Sequence, residues 1–222
     1  MTVDWLRHNR ISLALHTLRS GTGSALLWLH GLGEAAPATV PTEADGWPGP
    51  VYALDFTGHG RSTVPVGGGY SAETLLADAD VALAHIGPAT IVGRGLGAYV
   101  ALMLAGARPA LVRGAVLCDG PGLWGGPTGP TSTNIAVLAD TDRTPDPYAL
   151  LELSRDVRPR DYAAVFVHLA LEHSGLDEPI SVATVARPPW LETVVEEIGV
   201  VERSLRASLE AYARAQEVRR LT

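Results

Sequence analysis

The chain has 222 residues, 46% hydrophobic and 18% charged, a balance that fits one globular domain and excludes disordered, collagen-like and disulfide-scaffold classes. Its formal charge is −7, and basic side chains cluster only mildly, at Arg219 and Arg220, which argues against a nucleic-acid surface. Cys118 is the sole cysteine, so neither an intramolecular disulfide nor a cysteine zinc site can form, and a cytoplasmic protein without a cofactor or metal is expected.

The first residues, MTVDWLRHNRISLALHTLRSG, are broken by Arg7, His8, Asn9, Arg10 and His16 and do not read as a signal peptide. No stretch approaches the ~20 apolar residues of a membrane span. Residues 11–18 (ISLALHTL) alternate with period two, and residues 24–29 (SALLWL) form a short apolar run, so both predict strands. Residues 51–56 (VYALDF) predict a third strand, ended by the turn Thr57, Gly58, His59 and Gly60. Residues 71–86 open with a cap-like Ser71 to Thr74 and continue as a helix.

Residues 89–92 (ATIV) predict a buried strand and residues 96–107 a helix of small residues, joined only by Gly93, Arg94 and Gly95. That sharp turn sets Gly95 at the carboxyl end of a strand, where open α/β sheets keep their ligand sites. Further strands are predicted at 114–118, 134–139 and 179–186, the last taken as the final strand. Helices are predicted through most of 147–171, with a break at Pro159, and over 200–221. Apolar strands alternating with helices imply a mostly parallel sheet covered on both faces, in one domain spanning residues 1–222.

The segments LLWLHGLG (26–33), ALDFTGHGRS (53–62), GRGLGAYVALMLA (93–105) and ADTDRTPDP (139–147) resemble, in this order, the oxyanion strand and loop, the Asp…Gly-His-Gly-x-Ser turn, the nucleophile elbow and the acid loop of the α/β-hydrolase family. The resemblance implies an α/β-hydrolase-like sheet. With only a short Gly/Pro-rich loop after residue 118, it also implies a cap domain that is absent or minimal. The pocket would then be shallow, roofed by residues 121–130 and by the helix after Asp142.

Two departures carry the functional reading. The elbow reads Gly93, Arg94, Gly95, Leu96, Gly97, so glycine stands where the family's GxSxG places its serine, and no side chain is left to attack a carbonyl carbon. Glycine also relieves the backbone strain of that position, of order 1–3 kcal/mol for other residues. The second departure is the base: no histidine follows His173, and the expected position after residues 179–186 offers Arg187, Pro188, Pro189 and Trp190. Of the triad only Asp142 matches, in the acid loop. The backbone amides of Leu32 and Leu96 are expected to keep the oxyanion hole, because they depend on no side chain.

The chain has no lysine, so arginine alone can grip an anion. Arg94, beside the helix start, either binds a carboxylate or phosphate or packs sideways. Arg187 either replaces the Asp-His pair by an ion pair with Asp142 or faces solvent. His30 and His59 read as turn members and remain the spare bases. Asp119 reads as a loop-initiating aspartate, Cys118 as a buried inert thiol, His168 and His173 as surface residues, and Trp190 as a pocket cover or a core anchor.

The leading expectation is therefore a hydrolase-like pseudoenzyme or small-ligand-binding domain. The alternative is an esterase, lactonase or lyase in which His30 or His59 activates water and the Leu32 and Leu96 amides hold the oxyanion. A third reading is an interaction protein or homo-oligomer that uses the C-terminal helix, although Val201, Leu205, Leu209 and Tyr212 are more simply its packing stripe.

Overall fold

In the computed structural model, residues 2–123, 138, 142–154 and 158–221 are described. Strands β1 (Thr2–His8) and β2 (Ile11–Arg19) form a hairpin whose two-residue turn starts at Asn9, with φ 54°. Asparagine tolerates that left-handed backbone, which lets so short a turn follow the twist of its strands. Then come β3 (Ala25–Leu29), β4 (Val51–Leu54), helix α1 (Ala72–Ile86), β5 (Ala89–Arg94), α2 (Leu96–Ala107) and β6 (Val112–Cys118). The remaining elements are α3 (Pro147–Leu153), α4 (Tyr162–His173), β7 (Ile180–Ala183), α5 (Pro189–Val195), β8 (Val200–Glu202) and α6 (Leu205–Leu221).

The eight strands make one sheet in the order β1-β2-β4-β3-β5-β6-β7-β8. The β1–β2 and β2–β4 pairs are antiparallel, and every other pair is parallel. Central strands are apolar on both sides: Leu27, Leu29, Ile91 and Leu117 face one core with α1, α2, α4 and α5, while Leu26, Trp28, Val92 and Val116 face a second core with Trp47, Leu209 and Tyr212. Such two-sided burial is what a parallel sheet with helices on both faces requires. Helix α2 is buried almost all round, so its sequence is apolar on every side instead of showing one apolar stripe. At the start of α1, Ser71 Oγ accepts the Thr74 N–H at 3.2 Å, as the cap signal predicts.

Three sequence expectations shift. The segment read as one helix over 200–221 begins as β8, a short strand beside β7, before α6 starts at Leu205. Strand β7 is thus not the final strand, and the residues that follow the last strand are Arg203 and Ser204, not Arg187. Strand β1 carries no sequence signal, because only Leu6 of its residues is buried and no alternation betrays it. The expected strand at 134–139 lies, but for Leu138, outside the described residues, and the sheet passes directly from β6 to β7.

Candidate functional site

The carboxyl ends of β3, β5 and β6 meet at Gly95, the residue between β5 and α2. Its backbone sits at φ 49° and ψ −108°, a left-handed conformation that favours glycine. Its N–H donates to the Cys118 carbonyl at 3.0 Å. Two residues beyond that strand end, the chain turns back into the elbow. The Leu32 N–H donates to the Pro121 carbonyl at 2.8 Å, and the Leu96 N–H donates to the same oxygen at 3.0 Å. The two amides expected to form an oxyanion hole do converge on one oxygen, and that oxygen belongs to the protein.

Packing around this contact leaves no slack. A Cβ on Gly95 would lie 2.1 Å from the Pro121 oxygen and 2.5 Å from the Gly120 carbonyl, far inside contact distance. A Cβ on Gly122 would lie 2.3 Å from the Leu96 nitrogen. Segment 119–123 is also fastened at both ends. Asp119 accepts the N–H groups of Val185 (2.7 Å) and Ala186 (3.0 Å), which fits the loop-initiating role, and the Trp190 indole N–H donates to the Leu123 carbonyl at 3.0 Å. Trp190 is buried with its ring edge-on to Tyr99, so it is a core anchor that also holds the plugging segment. The roof expected from residues 121–130 is therefore, at Pro121 to Leu123, a filling; residues 124–130 lie outside the described residues.

The charged candidates are committed to partners. Arg94 forms a two-point ion pair with Glu34, Nε to Oε2 at 3.2 Å and Nη2 to Oε1 at 3.0 Å, and Glu34 Oε2 also accepts the Gly31 N–H at 2.9 Å. The guanidinium bond holds the Glu34 carboxyl below its ordinary range, and the carboxylate raises Arg94 in turn. Arg94 thus ties the elbow to the loop carrying Leu32 and is not the open anion site considered from sequence. Nothing local in the sequence marks Glu34 as a partner sixty positions away. Arg187 pairs with Glu202, not Asp142. Asp142 is exposed, and among the described residues no hydrogen bond or ion pair joins it to Arg187, His30 or His59. The buried acid of that segment is Asp146, which accepts the Tyr70 O–H at 2.6 Å and caps α3 through the Tyr148 N–H at 3.1 Å.

The two spare bases are spent on backbone. His30 Nδ1 lies 2.7 Å from the Gly31 carbonyl, which can only accept, and His30 Nε2 accepts the Phe56 N–H at 3.2 Å. His59 is held alike, Nδ1 donating to the Thr57 carbonyl at 3.1 Å and Nε2 accepting from Gly33 at 3.2 Å. Both imidazoles are therefore neutral, with no ring nitrogen left for water, and both had been expected as turn members. Burial, reinforced by the neighbouring His59 ring, pushes His30 from its ordinary 6.5 down to about 4, and burial lowers His59 as well. The Cys118 thiol is pushed up to about 12 by burial, which keeps it protonated and inert. His168 and His173 are exposed, each beside a glutamate.

A histidine kept neutral by the fold stabilises the protein above its unfolded-state pKa, and that contribution is lost as pH falls towards its folded-state value. His30 alone should cost roughly 2 kcal/mol between about pH 7 and about pH 5. His59 acts in the same direction, while Asp78, raised by burial, partly offsets them at the acid end. Urea midpoints across that window should fall in the wild type and fall less in His30→Asn, whose amide can still donate to Gly31 and accept from Phe56. Equal midpoints at both ends of the window in the wild type would contradict the assignment.

Among the described residues, no group of three or more His, Cys, Asp and Glu side chains is placed to hold a metal, and no helix is long and apolar enough to cross a membrane. The strand order, the elbow after β5 and the helix packed behind it accord with a family model, described as the alpha/beta hydrolase family, that matches residues 26–222. The chain belongs to the alpha/beta hydrolase family.

Among solved structures, this alpha/beta hydrolase is similar to the thioesterase domain from the curacin biosynthetic pathway, at 18% identity and TM-score 0.61, with 98% of each chain covered. It is also similar to a membrane phospholipase A described as a bacterial virulence factor, at 15% identity and TM-score 0.50 over 99% of this chain and 83% of that one. The epoxide hydrolase VrEH1 from Vigna radiata matches at 20% identity and TM-score 0.47 over 58% of this chain, which spans only 42% of the enzyme's length. At such identities the likeness is one of fold. No curated protein matches the sequence.

Proposed function

We propose that this alpha/beta hydrolase is a pseudoenzyme: a non-hydrolytic domain whose reaction centre is closed by its own backbone and whose role is to bind a small molecule. The observation that carries the reading is the Pro121 carbonyl oxygen, which takes both the Leu32 and Leu96 amides and the space into which a side chain at Gly95 would project. An acyl substrate would have to bring its carbonyl oxygen to that same place. The absence of any histidine after His173 supports the reading from the proton-transfer side. The engagement of both ring nitrogens of His30 and of His59 speaks against the alternative in which one of them activates water.

Removing a triad from a serine hydrolase leaves roughly 10³ to 10⁴ over the uncatalysed rate, supplied by the oxyanion hole and by binding. With the amides already satisfied, even that residue should be missing here. The purified chain is expected to leave a fluorophosphonate probe unreacted and to hydrolyse p-nitrophenyl acetate no faster than an unrelated protein at equal concentration. Stoichiometric labelling at one site, or saturable turnover, would remove the proposal.

A further inference from the structure

At the other end of the sheet from Gly95, a cavity of about 400 Å³ lies between α6 and the chain leading into β4. Its volume is that of a small-ligand site. Trp47, Leu209 and Ala213 give it an apolar floor. Both walls are fixed. Arg19 holds the carbonyls of Asp45, Trp47 and Gly49, and the Trp47 indole N–H donates to the Ser24 carbonyl at 2.8 Å. Opposite, α6 is pinned to the sheet by the buried Leu209 and Tyr212, by the 2.7 Å contact between the Ser208 and Ser181 hydroxyls, and by Gln216 Nε2 donating to Thr90 Oγ1 at 2.7 Å. Walls that are already ordered lose little entropy when a ligand enters.

Among the described residues, carboxylates outnumber guanidinium groups around the cavity: Glu43, Glu210 and Glu217 line it with Arg206 and Arg214. Arg206 donates to the Thr42 carbonyl at 3.4 Å, and Arg214 stands 3.9 Å from Glu210. Glu43 and Glu217, from opposite walls, have no ion-pair partner among the described residues. An apolar floor under two unpaired carboxylates complements a molecule with an apolar body and a cationic end, and the whole-chain charge of −7 favours its approach.

We propose that this cavity binds a small amphipathic cation, a primary or substituted ammonium on an aryl or alkyl body. The inference goes beyond the closed reaction centre and does not depend on it, since the two lie at opposite ends of the strands.

Three molecules of one shape separate the contributions: 4-phenylbutylamine, 4-phenylbutanol and 4-phenylbutyrate, titrated into the full chain by calorimetry and by amide and indole NMR. The amine should bind saturably with one-to-one stoichiometry, at least about tenfold more tightly than the carboxylate. Its shifts should centre on the Trp47 indole and the Leu209 and Ala213 amides, leaving Leu32 and Leu96 unmoved. The paired change Glu43→Gln with Glu217→Gln, both at exposed positions, should erase most of the preference for amine while the fold persists. Ala213→Phe should fill the space and abolish binding of all three. Absence of saturable binding, equal affinity for amine and carboxylate, or shifts at Leu32 and Leu96 would each overturn the assignment. A negative outcome here leaves the probe-labelling result of the closed centre standing, so the two proposals fail separately.

Discussion

Replacing Gly95 by serine, the change that restores the family's elbow residue on paper, should yield a less stable protein and no hydrolase. At φ 49° and ψ −108° a residue with a Cβ carries about 1–3 kcal/mol of strain. That Cβ would also stand 2.1 Å from the Pro121 oxygen, so segment 120–122 must move and its bonds from Leu32 and Leu96 must lengthen or break, at about 1 kcal/mol each. Together these give a loss of about 3–5 kcal/mol, on the order of 10 °C in melting temperature for a chain of this size. Gly95→Ala should show nearly the same loss, because the clash is at Cβ and not at the hydroxyl. Denaturant unfolding of both variants, alongside fluorophosphonate labelling of Gly95→Ser, checks the claim. A serine variant as stable as the wild type, or one that acquires label, would mean that the Pro121 carbonyl yields easily and that the centre is open in solution.

The same glycine shows what a sequence can and cannot disclose. Its place at a strand end before a helix is legible, because a four-residue apolar strand, a three-residue turn and a small-residue helix are all local patterns. Its role as an acceptor of close approach is not. The bonds from Leu32 and Leu96 to Pro121 link backbone atoms far apart in the chain, and backbone hydrogen bonds leave no mark in the identity of their residues. What signal there was lay in the glycines at 95, 120 and 122, which read as turn formers and in fact make room for one another's backbone.

At the carboxyl end the sequence pattern hides a strand for a different reason. Val201, Leu205, Leu209 and Tyr212 fall at helical spacing, and β8 is only three residues long, too short for a period-two pattern to compete. With β8 read as part of the helix, residues 179–186 read as the final strand, whereas in the structure Arg203 and Ser204, not Arg187, follow the last strand. Asp142 matches the acid-loop motif, whereas the burial of Asp146 four residues on depends on Tyr70, seventy-six positions earlier, and leaves no local mark.

Asp55→Ala should be the most damaging single substitution in the frame around the elbow. This carboxylate is buried and accepts from three separate elements: His16 Nε2 of β2 at 2.7 Å, the Ala36 N–H beyond the Leu32 loop at 2.7 Å, and the Arg61 N–H of the turn carrying His59 at 2.9 Å. Deleting it strands the buried His16 ring nitrogen and also breaks the bonds from the half-buried Ala36 amide and from the amide of the exposed Arg61. An unsatisfied buried group costs about 1–3 kcal/mol and each further lost hydrogen bond about 1 kcal/mol, so a loss of about 3–5 kcal/mol is expected. Asp55→Asn keeps one acceptor oxygen and should lose less. Because Ala36 follows directly on the loop that presents Leu32, the damage should also reach the closed centre, and hydrogen exchange at the Leu32 amide should quicken more than at Leu96, whose position is set by α2. Unfolding midpoints within about 1 kcal/mol of the wild type, or exchange at Leu32 that stays slow, would show that the plug is held by segment 119–123 alone and needs nothing from the turn at Asp55.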